Sequence, residues 1–134
     1  MRLTGAGANL VTIHAGCDTS GTGIALAVAA NDVAIQNLKL IGGTDIGVDV
    51  SNVDHVSITG VSTYDVCGRV SYGVNVYQST RVRVRRNTIT DIPAAEAAIY
   101  VGSFPANGRV TVGGTCRPRM AVGPLGRIRF PASS

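Results

Sequence analysis

The sequence predicts an all-β solenoid, a right-handed parallel β-helix of about four to five coils. Three observations carry that expectation. Strand-like segments recur at intervals of 22 to 28 residues between positions 10 and 112. Inside each segment apolar residues alternate with polar or small ones, the period of a sheet with one buried face. The composition, 45% hydrophobic but 4% aromatic with 17 Gly and no Trp, suits narrow β-branched strands separated by turns.

Two strand types are expected to alternate. The first comprises Val11-Thr12-Ile13, Val33-Ala34-Ile35, Val56-Ser57-Ile58, Val82-Arg83-Val84 and Val110-Thr111-Val112, whose starts lie 22, 23, 26 and 28 residues apart. The second comprises Ile24 to Val28, Ile46 to Val50, Val74 to Tyr77 and Ile99 to Val101, separated by 22, 28 and 25 residues. Coil upon coil, Val11, Val33, Val56, Val82 and Val110 form one inward ladder, and Ile24, Ile46, Val74 and Ile99 another. No two of these strands are separated by a two-residue Asn-Gly or Asp-Gly turn, which argues against antiparallel hairpins. Repeated coils occupy residues 1–112, while 113–134, with four Arg, three Pro and no acid, reads as an irregular cap or disordered basic tail. The first coil opens without a capping helix, so a piece of a longer solenoid is expected.

Segments such as "NDVAIQNLKLIGGTDIGVDVSN" and "STRVRVRRNTITDI" resemble the pectate-lyase-like right-handed β-helix proteins, with their V-x-I-x-N-x-x-I and G-I-x-V patterns. The resemblance spans roughly residues 3–112. It implies an extracellular or cell-surface setting and a polysaccharide ligand contacted by the sheet of the second strand type. It also implies that Asn37 and Asn87 share a turn position, with Gly60 in the coil between them, as a structural asparagine stack. Lyase, epimerase and hydrolase ancestry follows from the likeness, yet the polygalacturonase-type signatures, the Asp-Pro-His-Asp box and any clustered Asp set for calcium are missing from this chain. An active enzyme is therefore not expected.

Alternation along the second strand type turns Asp49, Asn75, Tyr77 and Tyr100 outward, within one patch of roughly 10 to 15 Å at the usual spacing between strands. Aromatic faces beside a carboxylate and an amide form the surface that a sugar needs. The insertion from Ser62 to Tyr72 leads into the same sheet, placing Asp65, Arg69 and Tyr72 where they can overhang the patch; its tyrosines serve equally as loop anchors. Asp49 and Asp65 form the one plausible carboxylate pair for glycoside chemistry, with Arg69 as the cation facing a uronate.

Residues 1–68 hold two basic and six acidic residues and residues 69–134 ten basic and two acidic, so the halves carry about −4 and +8. Such polarity draws anionic polymers, an acidic, uronate-type glycan above nucleic acid. Arg81, Arg83 and Arg85 alternate with Val82 and Val84, a stripe able to grip carboxylates or phosphates; the plainer role is to keep a strand edge from pairing. Nucleic acid is disfavoured because no aromatic residue accompanies the stripe. Cys17, Cys67 and Cys116 lack CxxC spacing and read as free thiols, and His14 and His55 are too few for a metal site, so no metal or cofactor is expected. The longest apolar run, Ile24 to Ala30, has seven residues, and a membrane helix needs roughly 20; no span or signal peptide is read. The alternative to glycan binding is a structural or adhesive module, surface or tail-fibre in kind, that self-associates through its coil ends.

Overall fold

A computed structural model describes residues 1–7, 10–15, 23–42, 45–64, 72–90, 97–102, 109–113, 120–122 and 128–129. Among them there is no helix, and every strand pairing is parallel, as the solenoid requires. The strands form three sheets. The first stacks β1 (Arg2–Thr4), β4 (Val33–Gln36), β7 (Val56–Thr59), β10 (Val82–Arg85), β13 (Val110–Gly113) and β15 (Ile128–Arg129) in that order. The second stacks β2 (Thr12–His14), β5 (Lys39–Ile41), β8 (Ser62–Tyr64) and β11 (Thr88–Thr90). The third stacks β3 (Ile24–Val28), β6 (Ile46–Ser51), β9 (Tyr72–Tyr77), β12 (Ala97–Gly102) and β14 (Met120–Val122). Each coil thus visits the first, second and third sheet in turn, a right-handed parallel β-helix.

Inside, the coils stack like residues on like. Val33 pairs with Val56 and Val82 with Val110, while Ile35, Ile58, Val84 and Val112 form the next inward row. All eight are buried, as are Leu40 and Ile89 of the second sheet. Burying one such side chain contributes about 1.5–3 kcal/mol. The hydrogen-bonded ladders between coils satisfy the backbone, so a narrow chain with few aromatic residues still closes a continuous core.

The turn from first to second sheet passes through one left-handed residue, Asn37 (φ 55°), Gly60 (φ 65°) and Arg86 (φ 53°) in successive coils. Asn tolerates that conformation, and Gly60 also needs its lack of Cβ, which would stand 2.6 Å from Asn37 Oδ1.

Four expectations are corrected here. Each coil holds three strand types, not two: the Leu40, Thr63 and Ile89 strands form a sheet of their own, too short at three residues to show periodicity. Val11 consequently leaves the Val33 ladder. It leads into β2, which pairs with Lys39–Ile41, whereas the strand beneath β4 is β1, with Leu3 opposite Ile35. A shared V-x-I pattern and a spacing of one coil disguised this.

The second ladder is shifted by two residues. Val74 and Ile99 align with Val48, and Ile46 faces Tyr72. The cause is a break in alternation: Gly47 and Val48 are both buried, and so are Gly73 and Val74. A Cβ on Gly47 would lie 2.5 Å from the Gly73 carbonyl and 2.5 Å from Thr63 Cγ2, so the strand start lies hard against the second sheet. A small residue, Ala25, Gly47 or Gly73, stands in this slot in three successive coils.

Asn87 does not share the slot of Asn37 and Gly60. It lies one residue further on, level with Leu38 and Val61, and is buried. Its Nδ2 donates to Ile58 O at 3.0 Å and its Oδ1 accepts from Val61 N at 2.9 Å. The loop read as starting at Ser62 begins instead with strand β8, in which Thr63 is buried. Beyond residue 112, β14 pairs with β12 and β15 with β13, continuing the third and first sheets.

Candidate functional site

The outer face of the third sheet holds most of the residues singled out in the sequence. The two-residue shift tightens their grouping, because Asp49, Asn75 and Tyr100 now stand in one register row between Ala27 and Ala121. Neighbouring members of such a row are about 4.8 Å apart. Tyr77 lies in the next row, between Ser51 and Gly102, with 39% of its surface exposed.

Asp49 organises the row. Asn75 Nδ2 donates to its Oδ1 at 2.6 Å, and the Ser51 hydroxyl lies 3.0 Å from Oδ1 and 2.9 Å from Oδ2. Ser51 escaped the sequence reading, although its i+2 relation to Asp49 on one strand face is visible there. With its Nδ2 held by Asp49, Asn75 directs its amide oxygen elsewhere, as an acceptor for a donor hydroxyl.

Beside this polar row stands an aromatic pair. The Tyr72 and Tyr100 rings have centroids 4.8 Å apart at an interplanar angle of 31°, within the range where tilted rings attract. Tyr72, expected to overhang from a loop, is the first residue of β9 instead. The face therefore combines two packed rings, an exposed third ring, an amide and a hydrogen-bonded carboxylate. Asp65 and Arg69 lie outside the described residues, as do Cys17, Cys67 and Cys116.

A second polar cluster sits on the turns between the third and first sheets. Arg81 Nε donates to Asp54 Oδ1 at 2.8 Å, Arg81 Nη2 donates to Oδ2, and the Thr80 hydroxyl also donates to this carboxyl. The Arg81 guanidinium, then Thr80, hold the Asp54 carboxyl well below the usual carboxylate range. His55 Nδ1 stands 2.7 Å from Asp32 Oδ1 of the preceding coil. Ser79 is buried beneath these turns and accepts from Val53 N at 3.2 Å. These contacts tie coil to coil. On the second sheet, Lys39 Nζ lies 4.8 Å from the centroid of the Tyr64 ring. Among the described residues no group of three or more His, Cys, Asp or Glu is placed to hold a metal ion, and no helix is long and apolar enough to cross a membrane.

Fold and face together define the class of the protein: a parallel β-solenoid presenting a flat aromatic and polar surface across three coils. The chain has no significant match among family models, curated proteins or solved structures.

Proposed function

We propose that this chain is a carbohydrate-binding β-helix of the pectate-lyase-like kind, contacting an acidic, uronate-type polysaccharide through the outer face of the third sheet. The observation that carries this reading is the juxtaposition of the Tyr72–Tyr100 ring pair with the Asp49–Asn75 row. Rings of this type cover the apolar face of a sugar, while the amide and hydroxyl groups beside them meet its equatorial oxygens. Binding is favoured over turnover because Ser51 and Asn75 occupy both Asp49 oxygens, the role of a positioning group. An extracellular or cell-surface setting follows from the resemblance.

The test is retention of the full chain on immobilised polygalacturonate, alginate and a neutral mannan. Tyr100→Ala and Asn75→Ala are each expected to weaken retention on the preferred glycan by about 1–2 kcal/mol, roughly five- to thirtyfold, with unchanged far-ultraviolet circular dichroism. Unchanged retention in both variants would show that this face is not the contact surface.

A structural module is the second reading, favoured by one observation. A largely apolar cavity of about 260 Å³ lies at the coil formed by β1 and β3, lined by Met1, Leu3, Leu26, Val28, Val33 and Ile35. A second copy stacked there would make a heterologous contact that propagates. Light scattering then shows mass rising with concentration; a constant monomer mass excludes it.

A further inference from the structure

We propose that the first sheet carries a separate, electrostatic binding face for an acidic polysaccharide, centred on Arg83 and Arg85. It stands on its own observations, and either face can fail without the other. Both side chains project outward from β10 and are exposed. They lie two residues apart on one face, roughly 6.7 Å along the strand.

The protective role that like charges play on an edge strand does not account for them. β10 lies between β7 and β13 in the interior of the sheet, with no free edge to guard. Nor does internal pairing. Arg81 is satisfied by Asp54, but Arg83, Arg85, Arg86 and Arg109 have no carboxylate partner among the described residues. Arg86 follows Arg85 at the turn, and Arg109 precedes β13, so four guanidinium groups without a carboxylate partner among the described residues lie along the first sheet and its turns. Such a grouping costs self-repulsion unless an anion meets it.

The surroundings indicate which anion. Arg83 stands between Ser57 and Thr111, and Arg85 beside Thr59, so low hydroxyl-bearing neighbours leave room for each planar fork to lie against a carboxylate or sulfate. Those hydroxyls suit a ligand that is itself rich in hydroxyls. No aromatic side chain is found on this face among the described residues, which removes the stacking platform that single-stranded nucleic acid uses.

The experiment is calorimetric titration of the full chain with polygalacturonate, dextran sulfate and a single-stranded DNA of matched charge, at about 50 and 300 mM salt. Arg83→Gln/Arg85→Gln is expected to weaken binding of both acidic polysaccharides about tenfold or more at the lower salt, with the difference shrinking at the higher. Arg83→Lys/Arg85→Lys, which keeps charge but loses the fork, is expected to fall between this variant and the unmodified chain. Lys39→Gln removes one charge from the second sheet and is expected to change little, whereas Arg83→Gln alone weakens binding severalfold. The proposal is overturned if Lys39→Gln weakens binding as much as Arg83→Gln, if the glutamine pair binds normally, or if the DNA binds as tightly as the polysaccharides.

Discussion

Asn87→Ala is expected to lower the unfolding free energy by about 3 kcal/mol, whereas Asn37→Gly changes it by under about 1 kcal/mol. The two asparagines look equivalent in sequence and do opposite things. Asn87 is buried between coils and serves the Val61 N–H and the Ile58 carbonyl at once. Ala leaves both groups without a partner in a site closed to water, each costing about 1–3 kcal/mol. Leu fills the space, as Leu38 does in its own coil, but serves neither group, so Asn87→Leu recovers only part of the loss. Asn37 in contrast holds a left-handed backbone angle that glycine adopts freely. Urea denaturation followed by circular dichroism separates the variants, and equal losses at the two positions would contradict the assignment.

Gly47→Val is expected to cost about 3–4 kcal/mol and to weaken glycan retention along with stability. The Cβ alone meets a backbone carbonyl and a buried methyl group, the former fixed by the sheet and the latter by the core. The strand start must lift away from the second sheet to accommodate it. Gly47 lies two residues before Asp49, so that movement disturbs the row on which the proposed contact surface depends. Ala27→Ser, on the same outer row as Asp49 but exposed, is the matched control and is expected to lie within about 0.5 kcal/mol of the unmodified chain. A Gly47→Val chain as stable as that control would mean that the corner is loosely packed.

Much of the architecture is legible in the residues because a solenoid repeats its requirements. Val33, Val56, Val82 and Val110 each have to fill the same inward slot, so the same residue type returns once per coil. The outward direction of Asp49, Asn75, Tyr77 and Tyr100 follows from the same parity. What stays hidden is whatever breaks the two-residue period. The third sheet's shift depends on a close backbone approach at Gly47, and glycine carries no hydrophobic signal. The second sheet is hidden for a different reason: three residues such as Ser62-Thr63-Tyr64 give one buried side chain, which is no pattern at all. The pairing of Tyr72 with Tyr100 joins residues from different coils that are not opposite one another, since Tyr72 stands across from Ala97, and such a diagonal contact leaves no mark in the alternation.

The third sheet's register is also the most direct point of attack. In a background with Cys17, Cys67 and Cys116 replaced by Ser, Asp49→Cys/Asn75→Cys and Asp49→Cys/Tyr77→Cys are compared for disulfide formation under mild oxidation. With Asp49 opposite Asn75, the first pair closes readily. The second is diagonal, with Cα atoms about 8 Å apart, beyond the reach of a bridge without backbone movement. Rapid closure of the Asp49→Cys/Tyr77→Cys pair, with the other left as free thiols, would restore the unshifted ladder and dismantle the row of Asp49, Asn75 and Tyr100.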